Sequence, residues 1–149
     1  METKMVAENR RARFDYEILE TLEAGISLQG HEVKSVKGGR MNLSGSYGVI
    51  QEGELWLLNA DVPAYQPKNA PEGYDPHRLR RLLIHRKEIN ALIGRLNEKG
   101  LTLVPLKAYL KKGLIKIELG LARSKKKGDK REGLKKRAAE REIRAQREE

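Results

Sequence analysis

The sequence predicts a mainly β fold with accessory helices: a small closed or nearly closed β-barrel followed by a basic tail. Three observations carry that expectation. Several short apolar segments alternate with polar residues at a period of two, glycine-marked turns separate them, and one interior segment alone has strong helical periodicity. Strands and helices do not alternate regularly, which argues against a βαβ sheet, and barrel closure removes the exposed edges that Val- and Ile-rich strands would otherwise offer. The 149 residues suffice for one compact domain. The expected organisation is a basic arm over 1–13, a barrel over 14–122 and a basic tail over 123–149.

Phe14, Tyr16 and Ile18 alternate with Asp15 and Glu17, the pattern of a half-buried strand, although Leu19 breaks the strict period. Leu22, Ala24, Ile26 and Leu28 continue the alternation after an expected bulge near residues 23–25. Gly38-Gly39 is a strong breaker, so residues 31–37 are expected to form a single short helical turn or a loop. Residues 47–51 and 55–60 flank Glu52-Gly53-Glu54, a hairpin signal. Four prolines between Pro63 and Pro76 remove ladder donors and fix φ, which makes this stretch a long surface loop, either mobile when free or part of a binding surface.

Ile89, Leu92, Ile93 and Leu96 then share one face of a helix that Gly100 is placed to stop and that is expected to plug one barrel end. Residues 101–106 and 115–121 read as the closing strands, joined through Tyr109 and the turn Lys111-Lys112-Gly113.

Charge narrows the function. The net charge is +10, and residues 123–149 hold twelve Lys or Arg against six Asp or Glu, so most of the excess sits in the tail. Such a field favours a polyanion, with RNA the leading candidate. The chain has no cysteine, which excludes disulfides and thiolate ligands and is compatible with a reducing compartment. There is no apolar run of signal-peptide or membrane-spanning length, so a soluble cytoplasmic protein without a membrane partner is expected. His31, His77 and His85 lack HExxH spacing, no serine stands in a GxSxG elbow, and Gly38-Gly39 lacks the Lys-Ser/Thr of a phosphate loop. No catalytic residue, metal site or cofactor is therefore expected, and the protein is read as a non-enzyme.

Three clusters are candidate RNA contacts. Asn9, Arg10, Arg11 and Arg13 form a basic strip beside Phe14 and Tyr16, suited to tracking a phosphate backbone, with the rings either stacking on a base or lying in the core. Glu32, Lys34, Lys37 and Arg40 form a second group. Here Glu32 and Lys34 either only face solvent, or Glu32 accepts from nucleotide amino or 2′-hydroxyl groups while the lysines meet phosphates. His77-Arg78-Leu79-Arg80-Arg81, leading into Arg86 and Lys87, reads as a shallow electropositive face.

In the tail, Lys125 and Lys126 are further candidates for RNA, and Lys135, Lys136, Arg137 and Ile143 are candidate contacts of the tail with the polyanion that orders it. Glu132, Lys136, Glu140, Arg144 and Glu148 recur every four residues with alternating sign, each helical pair contributing only ~0.2–0.5 kcal/mol. The apolar stripe of Leu134, Ala138 and Ile143 is too thin for a stable coiled coil. The tail is expected to be disordered when free and helical when bound, at an ordering cost of ~1–2 kcal/mol per residue that the polyanion offsets.

The combination of Asn9-Arg10 with Ala12-Arg13, Glu23-Ala24-Gly25, Leu28-Gln29-Gly30 with Glu32-Val33-Lys34-Ser35, Gly39-Arg40 with Asn42-Leu43, residues 82–85, Leu103-Val104-Pro105-Leu106 and Asp129-Lys130-Arg131 resembles the SsrA-binding protein family. The order and spacing of these strings run from Asn9 to about Arg144. The resemblance implies a barrel of the oligonucleotide-binding (OB) type and a non-enzymatic partner of transfer-messenger RNA. It further implies binding to the transfer-RNA-like part of that RNA and its delivery, with elongation factor Tu, to a stalled 70S ribosome for trans-translation.

On the same resemblance, Glu32, Lys34 and the 9–13 strip lie on the RNA side. Asp129, Lys130 and Arg131 match the tail motif, whose following helix occupies the empty messenger channel lined by 16S ribosomal RNA. Gly128 departs from the family's frequent bulkier residue, removing a possible stacking ring. The alternative function is a general structured-RNA chaperone or a ribosome-associated structural protein.

Overall fold

The structure is a computed structural model and describes residues 3–98 and 100–125. Seven antiparallel strands run in the order β1-β6-β3-β4-β5-β2-β7, and a β6–β7 pairing closes the sheet into a ring. The elements are β1 (Thr3–Glu8), α1 (Arg10–Asp15), β2 (Tyr16–Ile26), α2 (Gly30–Lys37), β3 (Tyr47–Gln51), β4 (Glu54–Leu58), β5 (Arg80–Leu83), α3 (Arg86–Leu96), β6 (Leu101–Lys111) and β7 (Leu114–Ser124). The OB-like closed barrel expected from the sequence is present.

Several local expectations are corrected. Thr3–Glu8 is a strand paired with the second half of β6, and residues 10–15 form a helix, so β2 begins at Tyr16. The register shift in β2 falls between Ile18 and Glu20, where Leu19 interrupts the alternation, and residues 23–25 stay in register with β7. α2 extends over eight residues because its first turn is capped: the Glu32 carboxylate accepts from Gln29 N–H at 2.7 Å. Gly39, at φ +83°, ends it as the glycine pair predicts.

The β3–β4 hairpin turns on Glu52 and Gly53, both at positive φ (53° and 74°), the geometry that follows the strands' right-handed twist. β6 and β7 are longer than expected, eleven residues each, and turn on Lys112-Gly113. Pro105 lies within β6 beside a register shift, where its missing N–H is tolerated. In α3, Ile89 and Leu92 are buried but Ile93 is 40% exposed, so the apolar face is narrower than its periodicity suggests.

The core follows the alternation. Leu55, Leu57, Leu82, Leu103, Ile117, Leu119 and Leu121 are almost completely buried inside the barrel, with Val36 of α2 and Leu92 of α3 joining them. A smaller cluster lies under α1, where Ala12 packs on Val104, Leu106 and Ala122. Gly48 faces Leu103 at the pairing that joins β3 to β6; a Cβ there would stand 3.2 Å from Leu103 Cβ, so glycine permits the approach. Among the described residues no helix is long and apolar enough to cross a membrane.

Candidate nucleic-acid interface

The centre of this surface is a buried ionic network that holds a long loop to α2. The chain between β4 and β5 spans residues 59–79 and includes a short 3-10 turn at Pro67–Asn69. Glu32, on α2, is completely buried, and so is Arg80, at the start of β5. Arg80 Nε and Nη2 donate to Glu32 Oε2 at 2.9 and 2.6 Å. Arg78 Nη2 donates to Glu32 Oε1 at 2.5 Å and Arg78 Nε to Oε2 at 3.0 Å.

The rest of the Arg80 guanidinium ties the base of the loop together. Its Nη1 donates to the Ala60 carbonyl at 2.9 Å and its Nη2 to the Pro76 carbonyl at 2.9 Å. The Pro76 carbonyl also accepts from Val62 N–H at 3.0 Å. Tyr74 OH lies 2.9 Å from Glu32 Oε2 and 2.6 Å from the Val62 carbonyl, within donating reach of both, and accepts from Arg80 Nη2 at 3.0 Å. Ser35 Oγ, one turn further along α2, donates to the Pro63 carbonyl at 2.7 Å. The loop therefore leaves the barrel from a fixed base.

Burial pushes the Glu32 carboxyl upward, but the hydrogen bonds from Arg78, Gln29 N–H and Arg80, together with the Arg80 charge, outweigh it and hold the group at about 2. The Tyr74 hydroxyl is raised by burial and by its hydrogen bond to Glu32. Both sequence readings of Glu32 are thereby replaced. It does not face solvent, and its oxygens are occupied by internal donors, so it holds α2 to the loop and β5 and is not an open acceptor. Arg80 is likewise withdrawn from the expected electropositive face, and Arg81 on the opposite side of β5 is paired with Glu54 at 2.7 Å.

The period of two in β5 was the available signal: Arg80 shares a face with Leu82, and an inward arginine demands an acid. The Gln29-x-x-Glu32 spacing of a helix cap was the second.

The remaining candidates fall into two groups. Around α1, Arg10 is highly exposed and lies 3.0 Å from Glu8; Arg11 pairs with Asp15 at 3.2 Å; Arg13 is exposed in the last turn. Lys125 joins them, with its ammonium 5.7 Å from the Phe14 ring centroid and its N–H bonded to the Asp15 carbonyl. Asn9 differs from its neighbours. It is 5% exposed, caps α1 through Ala12 N–H at 3.2 Å, and donates from Nδ2 to the Leu43 and Pro105 carbonyls at 3.2 and 2.8 Å. Its role is to fix the helix that presents the arginines.

Around α2, Lys34, Lys37 and Arg40 are exposed. Lys34 Nζ lies 6.0 Å from the centroid of Tyr65, an exposed loop residue that the sequence did not single out. The eleven residues of β2 separate the two groups, a strand on the order of 35 Å long. Lys126, Asp129, Lys130, Arg131, Lys135, Lys136, Arg137 and Ile143 lie outside the described residues. No group of three or more metal-ligating side chains occurs among the described residues.

Comparison with known proteins gives a consistent result. The family model described as SmpB protein matches residues 6–149. The SsrA-binding protein of Gloeothece citriformis is 54% identical over 141 residues, covering 95% of this chain and 91% of that protein. The SsrA-binding protein of Geobacillus thermodenitrificans is 52% identical over 142 residues, covering 95% and 91%. A solved structure described as "tmRNA-SmpB: a journey to the center of the bacterial ribosome" matches with a TM-score of 0.68 at 48% identity, covering 85% of this chain and 92% of the other. With a family match over nearly the whole length, close relatives of the same size and a matching barrel, this chain belongs to the SmpB, or SsrA-binding, protein family.

Proposed function

We propose that this protein is a non-enzymatic RNA-binding factor of trans-translation, which binds the transfer-RNA-like part of transfer-messenger RNA and brings it to stalled ribosomes. The observation that carries this reading is the likeness, at 48% identity and TM-score 0.68, to a structure whose description names both tmRNA and the bacterial ribosome. The surface chemistry supports it. Exposed Arg10 and Arg13 on α1, Lys34 and Lys37 on α2 and Arg40 just beyond it are cations suited to phosphates, and the Glu32 network holds the loop to α2 before RNA arrives.

In this reading the body grips structured RNA while the complex, with elongation factor Tu, is delivered in the cytoplasm. Residues 126–149 then probe the messenger channel. Where the channel is vacant, its RNA walls neutralise the tail and favour the helix that the four-residue spacing encodes; where messenger fills it, both gains are lost.

Removal of residues 126–149 tests the division of labour in a reconstituted translation system stalled on truncated messenger. The expected result is near-normal affinity for transfer-messenger RNA with loss of peptide tagging. Equal loss of both would defeat the division, and unchanged tagging by Ile143→Asp would assign the tail to charge alone. RNA recovered with the full-length protein from cells should be dominated by one structured species. A broad population would favour the general chaperone instead.

A further inference from the structure

Tyr65 stands on the loop that the Glu32 network anchors, 43% exposed, at the rim of a solvent-open cleft of about 310 Å³. The cleft lies between the first turns of α2 and the loop's 3-10 turn, and Gly30, His31, Lys34, Gln66 and Asn69 complete its lining. No carboxylate is among these residues. Each wall has a defined chemistry. Tyr65 supplies a ring face, and the Lys34 ammonium, 6.0 Å from its centroid, is a cation beside that face. Asn69 Nδ2 donates to Gln66 Oε1 at 2.8 Å, which leaves the Asn69 carbonyl oxygen and the Gln66 amino group to pair with a ligand.

His31 forms the back of the cleft. Its ring meets Tyr74 edge-on at 4.6 Å, so the cleft is braced directly by the buried ionic network. Its Nε2 lies 2.7 Å from Gln29 Oε1, a contact that fixes the orientation of the ring. His31 Nδ1 is closed off from solvent by the protein itself, so the polar groups open to a ligand are those of Gln66 and Asn69.

We propose that this cleft receives a single unpaired nucleobase of the bound RNA, stacked on Tyr65, with its exocyclic amino group turned toward the Asn69 side-chain carbonyl oxygen and its flanking phosphate on Lys34. The inference rests on the RNA-binding reading above and adds a base-accepting site to it. Double-helical RNA keeps its bases stacked inside, so a protein that reads loops needs an aromatic platform backed by polar groups. A rigid loop base makes that platform effective, because little order has to be gained on binding.

The test compares two RNA probes against the full-length protein: a transcribed transfer-RNA-like domain, which has unpaired loop bases, and a fully paired duplex of similar length. Tyr65→Ala is expected to weaken binding to the looped probe by about 5- to 150-fold while leaving the duplex and the salt dependence unchanged. Tyr65→Phe should retain looped-probe affinity, since it keeps the stacking face. Lys34→Gln should lower the slope of log affinity against log salt by about 0.7–0.9. Because Tyr65 is an exposed loop residue, the melting temperature serves as the folding control.

If Tyr65→Ala binds the looped probe as wild type does, or loses affinity equally for both probes, the base site is wrong while the RNA-binding reading stands. If the wild-type protein does not prefer the looped probe to the duplex, the reading itself fails and the site with it.

Discussion

Glu32 Oε2 and Arg80 Nη2 lie 2.6 Å apart, and neither side chain is exposed to solvent at all. An ion pair taken wholly out of water persists only where hydrogen bonds satisfy the rest of each group, and here both partners are fully engaged: the carboxylate by Arg78, Tyr74 and Gln29 N–H, the guanidinium by the Ala60 and Pro76 carbonyls. The pair thus joins α2, the base of the long loop and β5 in one unit.

Glu32→Gln keeps the shape but leaves two guanidinium groups facing a neutral amide. It should destabilise the fold by about 3–5 kcal/mol in urea denaturation. Arg81→Gln, which removes the half-exposed pair with Glu54, should cost less than about 1 kcal/mol. Equal costs at the two sites would contradict the buried network.

Acid should weaken the protein through the same carboxylate. Its group is held at about 2 in the folded state against an ordinary value of 4.5, so the unfolded chain binds more protons between these values. The stability it contributes is fully present above pH 4.5 and is lost as pH falls toward 2, on the order of 3 kcal/mol in all. Unfolding free energy measured across this window should decline more steeply in wild type than in Glu32→Gln.

Asn9→Ala should cost about 2–3 kcal/mol, because it removes the α1 cap and leaves the Leu43 and Pro105 carbonyls without their side-chain donor. Asn9→Asp should be worse, since a carboxylate keeps the cap but sets an anion against two carbonyl oxygens. Calorimetric melting orders the three proteins. Wild-type-like stability in Asn9→Asp would show that Asn9 acts only as a cap.

Gly48→Ala probes the barrel seam. The new methyl would lie 3.2 Å from Leu103 Cβ, so β3 or β6 must shift by a few tenths of an ångström. The expected cost is about 1–3 kcal/mol, accompanied by faster amide exchange along β3. Gly94→Ala is the control: a Cβ there meets nothing within 4 Å on an exposed helix position, and it should stabilise by up to about 1 kcal/mol.

Much of the barrel was legible because strand periodicity and turn chemistry are local. The Glu52-Gly53 and Lys112-Gly113 turns, the Ile115-Ile117-Leu119 face and the α3 stripe can each be found within a window of a dozen residues. Three features were not legible. β1 has little apolar pattern and is held as a strand by its pairing with β6, a partner about a hundred positions away. α2 is longer than its glycine-bounded sequence suggests, because a carboxylate cap and core contacts through Val36 outweigh weak propensity. The β2 bulge was expected a few residues too late, as the position of an unpaired residue is set by the partner strand.

The basic clusters around α1 and α2 could be located in the sequence, since the order of charged residues is a property of the chain. The amino-acid order by itself also determined the barrel class, the placing of most turns and the resemblance that the comparisons bear out. Which charged groups remain available to a ligand was decided only by tertiary structure. Glu32 is more than forty positions from both Arg78 and Arg80, and their ion pairing exists only once β5 lies beside α2. Burial turns those charges from candidate contacts into the frame that holds the contacts, because a charge removed from water binds its internal partners before any other.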